Sequence, residues 1–242
     1  MIKIKKIKYC LLVAVCCLLF FTSAQSQTSQ IGITLTWSTD TYVPIDYSGK
    51  ALPSRGSIIE VAANIDSKGV NPQELVYNWF LDDRIQKADS GQGKQVFQFN
   101  IGDRITRKRL VKVETKNTAG TLLGTSSYLS LKPCQPEIAL ETKALLLESS
   151  NLTQKYQISA NQEIKFIAQP YFFNIKSLDE LDYKWSLGGK TASQISSENP
   201  NIFILKVGQI GQSIKQDLSV WVENKNNPLQ RTQTTAEINI IP

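Results

Sequence analysis

One short motif occurs twice in this chain of 242 residues. Residues 75–80 read Leu-Val-Tyr-Asn-Trp-Phe, and residues 181–186 read Leu-Asp-Tyr-Lys-Trp-Ser. In both places the tyrosine and the tryptophan lie two positions apart among apolar residues, which is the period of a β-strand with one buried face. A Val-x-Val run also recurs, at residues 111–113 and 220–222. The repeat predicts a duplicated domain.

Strand-like segments fill each copy. Apolar residues alternate with polar ones, turn-forming residues separate the segments, and no segment keeps a 3.6-residue apolar period over three turns. This pattern is typical of an all-β sandwich. The predicted strands are residues 31–37, 59–65, 75–81, 96–101, 110–115 and 122–131 in the first copy. Those of the second copy are residues 138–147, 163–168, 183–187, 201–207 and 216–223, before a closing strand that aligns residues 234–242 with residues 125–133.

The N-terminus indicates export. Four lysines precede an apolar run of 13 residues, 9–21, and Thr22-Ser23-Ala24 follows it. A basic start, a short apolar stretch and small residues predict a signal peptide over residues 1–24, with a flexible polar lead-in over residues 25–30. The apolar run is short for a bilayer span of about 20 residues. An uncleaved N-terminal membrane anchor remains the alternative.

Export changes the meaning of the net charge. Removal of residues 1–24 takes away four lysines and no acidic residue, which lowers the formal charge from +6 to +2. A nucleic-acid partner is therefore not expected, because such proteins keep a basic patch in the mature chain. The basic residues that remain close together favour a solvated loop: Arg104, Arg107, Lys108 and Arg109.

The chain contains no histidine, and Cys134 is the one cysteine after residue 24. These facts exclude Ser-His-Asp and Cys-His catalysis, histidine-ligated zinc and a thiolate metal cage. The acidic groups at residues 82–89 and 179–182 lack the ligand spacing of a calcium loop. We therefore predict no cofactor, no metal and no enzyme activity. A carboxylate hydrolase is the weaker alternative, and an intermolecular Cys134 disulfide is left open.

The aromatic residues fall into two groups. Those of the repeated motif are predicted to form the domain cores, since large rings on an alternating strand are buried: Tyr77, Trp79, Tyr183 and Trp185. The others lie on loops or on the opposite face of a strand, where they are candidates for partner contacts: Tyr42, Tyr47, Phe172, Phe173 and Trp221. The competing interpretation of the loop aromatics is that they fill the ends of the sandwiches.

The Tyr-x-Trp strand followed by Val-x-Val-x-x-x-Asn-x-x-Gly resembles the polycystic-kidney-disease (PKD) type of immunoglobulin-like domain. The residues that carry the resemblance are Tyr77, Trp79, Val111, Val113, Asn117 and Gly120 in the first copy, and Tyr183, Trp185, Val220, Val222 and Asn226 in the second. The resemblance implies Ig-like antiparallel β-sandwich domains. The repeat and the proline-bounded linker 133–136 predict two of them in tandem, residues 31–132 and 137–242. It also implies the role of a spacer or binding module.

Export, duplication and the absence of catalytic residues lead to one functional prediction. The chain is expected to be a non-catalytic structural or interaction module of the cell surface or periplasm, and its partner another envelope or surface protein. A membrane contact is expected only through an uncleaved N-terminal segment. The alternative is a carbohydrate- or peptide-binding accessory protein that uses the loop aromatics.

Overall fold

The computed structural model describes residues 31–149, 154–192, 195 and 198–242. The predicted signal peptide and lead-in, residues 1–30, lie outside these described residues.

The described part of the chain consists of strands, joined by turns and two short 3-10 helices. The first copy contains β1 (Gly32–Thr39), β2 (Ile58–Asp66), β3 (Val76–Leu81), β4 (Arg84–Ile85), β5 (Gly91–Gln92), β6 (Val96–Asn100), β7 (Arg109–Lys116), β8 (Leu122–Thr125) and β9 (Leu129–Leu131). The second contains β10 (Glu137–Thr142), β11 (Leu145–Ser149), β12 (Gln154–Ser159), β13 (Glu163–Tyr171), β14 (Leu181–Leu187), β15 (Lys190–Thr191), β16 (Ile202–Lys206), β17 (Ile214–Asn224) and β18 (Asn227–Ile241). The 3-10 helices, Pro72–Glu74 and Leu178–Glu180, precede β3 and β14.

Each copy has two sheets. In the first, the sheet β1-β2-β6 faces the sheet β4-β3-β7-β8, with β5 and β9 added to β3 and β7. In the second, β10-β13-β16 faces β11-β12-β18-β17-β14-β15. In the letters used for antibody domains, both copies have the order A-B-E on one sheet and C′-C-F-G on the other. Each copy is therefore an immunoglobulin-like sandwich, and the predicted all-β tandem fold is confirmed.

The two sandwiches have separate hydrophobic cores that are built alike. Trp79 stacks on Phe97 and Trp185 stacks on Phe203, each with ring centroids 5.5 Å apart. Both indole N–H groups donate to a backbone carbonyl, that of Lys94 at 2.8 Å and that of Pro200 at 3.0 Å. A buried indole needs such a partner, so the repeated tryptophan fixes the same local geometry in both cores.

Two predicted strands were wrong in extent. Residues 138–147 do not form one strand: β10 ends at Thr142, and the chain then crosses to the other sheet as β11 and β12. Residues 122–131 divide into β8 and β9, because Ser126 replaces the regular pairing there. Its N–H donates to the Val113 carbonyl at 2.9 Å, and its Oγ accepts from the Val113 N–H at 3.1 Å.

The C–C′ hairpin turn differs between the copies. Its two central residues have positive φ in both, which is the requirement of a type I′ turn. Gly188 and Gly189 meet this requirement at φ of 57° and 75°. Asp82 and Asp83 occupy the same places in the first copy at φ of 51° and 62°. Aspartate tolerates this region better than most residues, and the contacts of Asp82 described below hold it there.

Candidate interaction surface

The long connection between β1 and β2, residues 40–57, lies against the second sandwich; we call it the clasp loop. The Tyr42 N–H donates to the Phe173 carbonyl, and the Phe172 N–H donates to the Tyr42 carbonyl, both at 2.7 Å. These two hydrogen bonds join the clasp loop to the backbone immediately after β13. The connection thus lies within the first copy in sequence but contacts the sandwich of the second.

Four of the five predicted contact aromatics meet at the clasp loop. Tyr42 packs against the core of the second sandwich. Tyr47 lies edge-on to Phe172, with ring centroids 5.9 Å apart. Phe172 and Phe173 are only 5% and 0% exposed, so in this arrangement they offer almost no surface to a partner. Their contacts hold the two copies together.

A buried polar network continues the joint. The Gln230 amide nitrogen donates to Ser54 Oγ at 2.8 Å and to the Arg55 carbonyl at 2.6 Å. Its amide oxygen accepts from the Asn174 N–H at 2.8 Å and from Asn224 Nδ2 at 2.9 Å. Gln230, Ser54 and Asn224 are almost fully buried. Because a buried amide is costly unless it is bonded, this network specifies one arrangement of the two sandwiches.

The predicted linker is attached to the same loop. The Cys134 N–H donates to the Pro53 carbonyl at 2.8 Å, and Cys134 forms a parallel bridge with Ser54. Cys134 is a free, partly buried thiol. Burial, followed by the nearby Glu137 carboxylate, raises the pKa of this thiol to about 11. Since the thiolate is the reactive form, Cys134 is poorly placed for disulfide exchange near neutral pH.

Trp221, the fifth predicted contact residue, lies on the outer face of the second sandwich. It pairs with Lys184 on β14 and with Gln233 on β18, and it is partly exposed. The Lys184 ammonium lies 4.6 Å from the ring centroid, within cation–π range. A ligand that stacks on this face of the indole would have to displace the lysine.

The two motif tyrosines differ in hydrogen bonding. The Tyr77 hydroxyl donates to the Pro72 carbonyl at 3.1 Å. The Tyr183 hydroxyl is buried and has no hydrogen-bond partner among the described residues. Burial raises the pKa of both, and the neighbouring Tyr42 adds to the effect at Tyr183. Both side chains lie in the cores, 0% and 8% exposed.

Asp82, in the first acidic group, is used in structural contacts. Asp82 Oδ2 lies 2.9 Å from both Arg107 Nη2 and Arg109 Nε, and Asp82 Oδ1 accepts from the Leu110 N–H at 3.0 Å. Burial of Asp82 acts to raise its pKa, but the Leu110 hydrogen bond and the two arginines outweigh it, so the pKa is lowered. Two of the four clustered basic residues therefore belong to an ion-pair network.

Within the described residues, no group of three or more His, Cys, Asp or Glu side chains is placed to hold a metal ion. In the same part of the chain, no helix is long and apolar enough to cross a membrane.

Sequence reasoning missed the residues that connect the two copies. Asn174 and Asn224 lie in or beside turns, and Gln230 lies in β18. Polar residues of these types are mostly exposed, and nothing in their local pattern predicts otherwise. Their burial depends on the approach of Ser54 and Arg55, which lie more than 100 positions away in the chain.

No protein-family model matches the chain, and no curated protein matches it. The chain is similar in structure to the three N-terminal domains of the bacteriophage RB49 Highly Immunogenic Outer Capsid protein, at 13% identity and a TM-score of 0.45, over 87% of this chain and 59% of that one. It is also similar to Sidekick-1 immunoglobulin domains 1–4, at 11% identity and a TM-score of 0.29, over 85% of this chain and 47% of that one.

A third similar structure is the pair of tandem V-type regions of VCBP3, a v-region-containing chitin binding protein. It is 9% identical with a TM-score of 0.27, and the match covers 85% of this chain and 98% of that one. The chain spans about half of the length of the first two proteins. At these scores the assignment of the fold rests on the strand order described above.

Proposed function

We propose that the protein is a non-catalytic structural and interaction module of the cell surface or periplasm, exported by residues 1–24. The observation that carries the proposal is the joint. The clasp loop, the linker and the Gln230 network hold two sandwiches in one arrangement. A fixed pair of sandwiches presents its outer faces to a partner at a constant spacing and orientation, which lowers the entropy lost on binding.

The proposed domain limits are those expected from the sequence, residues 31–132 and 137–242, with residues 133–136 as the linker. We extend the proposal to membership of the PKD type, which the Tyr-x-Trp and Val-x-Val strands support. The proposed partner is another envelope or surface protein, and Trp221 with Lys184 is the proposed contact. Tryptophan is among the residues that contribute most to the binding energy of protein interfaces.

Glycan binding through the loop aromatics has less support. Tyr47 contacts Tyr171 and Phe172, Phe172 and Phe173 are buried, and Tyr42 packs on the second core. A sugar ring that stacked on these residues would have to open the joint. Peptide binding, the other part of the alternative, has one observation in its favour: no described strand pairs with the outer edge of β8 or β9.

Site-specific photocrosslinking in living cells tests the proposal. A photoreactive amino acid replaces Trp221 in one strain and Gln98 in another; Gln98 is an exposed residue on the outer face of the first sandwich. We expect a covalent adduct with an envelope protein from position 221 and none from position 98, with the chain in the periplasmic or surface fraction. A cytoplasmic location, or the same result at both positions, would overturn the proposal.

A further inference from the structure

The closing strand of an Ig-like sandwich, strand G, lies at the edge of its sheet. In the first sandwich strand G is β8 with β9, and in the second it is β18. Residues 125–133 align with residues 234–242, so Ser127, Leu129 and Leu131 correspond to Ala236, Ile238 and Ile240. These residues therefore occupy equivalent positions along strand G in the two sandwiches.

In the second sandwich another strand covers this edge. After β10 the chain crosses between the sheets, and β12 pairs in parallel with β18 from Gln154↔Ala236 to Ser159↔Ile241. Tyr156 and Ile158 of β12 point into the core and are 5% and 1% exposed. The residues between and beside them are polar. The edge of β18 is thus closed by a strand with two apolar side chains at alternate positions.

In the first sandwich the same edge begins to close and then stays open. The Ile31 N–H donates to the Leu123 carbonyl at 2.9 Å. Gly124 permits this approach, because a Cβ there would lie 2.6 Å from the Ile31 carbonyl oxygen. From Gly32 to Thr39, however, β1 pairs with β2. Among the described strands, none pairs with the outer edge of β8 or β9.

A groove lies where the covering strand is missing. It has a volume of about 240 Å³, comparable with a few side chains. Its lining, which we call the open seam, consists of Ile33, Thr34, Leu35, Ser127, Tyr128 and Leu129. Ile33, Leu35 and Leu129 belong to the rim of the first core and are only partly buried. The seam therefore leaves apolar core residues beside an unpaired strand edge, at the positions that correspond to the β12 site of the second sandwich.

We infer that the open seam binds an extended peptide strand of a partner protein, in parallel with strand G. The second sandwich shows what this site accommodates: a segment with apolar side chains at alternate positions and polar ones between them. Strand addition supplies affinity through backbone hydrogen bonds and specificity through the alternate side chains. No ionisable side chain other than the Tyr128 phenol lines the seam, which suits an apolar peptide better than a charged ligand or a sugar.

The polar lead-in of this chain is a poor candidate for the same site. Residues 25–30 read Gln-Ser-Gln-Thr-Ser-Gln and contain no apolar residue. They could not supply the two buried side chains that Tyr156 and Ile158 provide in the second sandwich. The strand that binds the open seam is therefore assigned to a partner protein.

The inference rests on the proposed interaction role and names one surface for it. Its test uses the purified full-length chain and a synthetic peptide, Gln-Lys-Tyr-Gln-Ile-Ser, which is the sequence of β12. The control peptide has serine in place of the tyrosine and the isoleucine. Both are titrated into the isotopically labelled chain, and binding is followed by backbone NMR shifts. We expect saturable shifts at residues 127–132 and at Thr34 with the first peptide, and at least tenfold weaker binding of the control.

Two variants of the protein locate the site. Ser127→Pro removes a backbone N–H at the exposed edge, and Leu35→Ser removes apolar lining; each is expected to weaken binding at least tenfold. The control is Ser48→Pro, which lies in the clasp loop and should leave binding unchanged. Asn64→Pro would not serve as a control, because Asn64 lies within a paired strand. Circular dichroism and thermal melting confirm that each variant is folded before it is titrated.

Several outcomes would overturn the inference. They are no shift up to the solubility limit of the peptide, equal binding of the control peptide, and shifts confined to β18, which would mean exchange with the chain's own β12. The result is independent of the photocrosslinking test. A cytoplasmic location would leave the peptide titration intact, and a failed titration would leave the Trp221 contact intact.

Discussion

Strand G of the first sandwich is interrupted at Ser126 and has an uncovered edge, whereas strand G of the second is continuous over 15 residues and is covered by β12. Both sandwiches nevertheless stack the motif tryptophan on a phenylalanine at the same centroid distance of 5.5 Å. The two sandwiches therefore share the packing of their cores and differ at the edge of strand G. The core decides whether a sandwich folds, while an edge strand is free to change its pairing.

The largest effect is expected where the copies agree. Trp79→Ala and Trp185→Ala each remove a fully buried ring and its N–H···O bond, which costs about 3–5 kcal/mol of unfolding free energy in well-packed cores. Urea denaturation of the two variants measures both losses. Trp221→Ala, outside the cores, serves as the control and should cost under about 1 kcal/mol. Losses that differ by more than about 2 kcal/mol, the width of the usual range, would show that the cores are not equivalent.

The joint comes next in size. Gln230→Ala leaves Ser54, the Arg55 carbonyl, the Asn174 N–H and Asn224 without their shared partner. Unsatisfied buried groups cost about 1–3 kcal/mol each before relaxation. We expect a net loss of about 2–3 kcal/mol and separate unfolding of the two sandwiches in calorimetry. Gln233→Ala changes an exposed glutamine of the same strand and should alter neither. A single unchanged transition for Gln230→Ala would show that the Gln230 network does not couple the two sandwiches.

The motif tyrosines give a smaller effect with opposite signs. Tyr77→Phe removes a hydroxyl that is bonded to Pro72, and it should cost about 1 kcal/mol. Tyr183→Phe removes a buried hydroxyl with no partner among the described residues, and it should be neutral or stabilising, because a buried unpaired polar group is unfavourable. Thermal melting of the two matched variants compares them. An equal loss in both would indicate that a water molecule bonds Tyr183.

The smallest expected effect is a loss of folding stability at acidic pH. The pKa of Asp82 is lowered in the folded chain, so its contribution to stability is present above the unfolded pKa of about 3.9. That contribution is lost as the pH falls through the folded value. Gly188 occupies the corresponding turn position and cannot titrate. We expect the first sandwich to lose more stability than the second between neutral pH and pH 3, and Asp82→Asn to reduce this difference. Urea denaturation at both pH values is the measurement.

Regular alternation made most of the fold predictable. The segments around Trp79 and Trp185 alternate over five or more residues, and such a pattern has one buried face in any sandwich. The crossover at residues 143–144 was not predictable in this way. Leu140 and Leu145 lie on the two sides of this crossover. They are close together in the sequence, but they belong to different sheets. Local periodicity records the burial of a residue but not the strand that covers it.

The candidate surface shows the same limit in another form. The loop aromatics were expected either to contact a partner or to fill the ends of the sandwiches, and the sequence left both open. Phe173 belongs to the core of the second sandwich, and Tyr42 of the first sandwich bonds to its backbone. A contact between residues so far apart in the chain leaves no trace in the local pattern of either. The open seam leaves no local signal for a related reason: it depends on which strand edge stays unpaired among the described strands.

The clasp loop also has a consequence for heredity. The two sandwiches share one strand order, yet Tyr42 of the first packs against the core of the second, and Gln230 of the second bonds to the loop of the first. A recombination event that moved either sandwich alone into another gene would separate these residues from their contacts. Selection would therefore preserve the pair, and in this chain the inherited unit is the two sandwiches together.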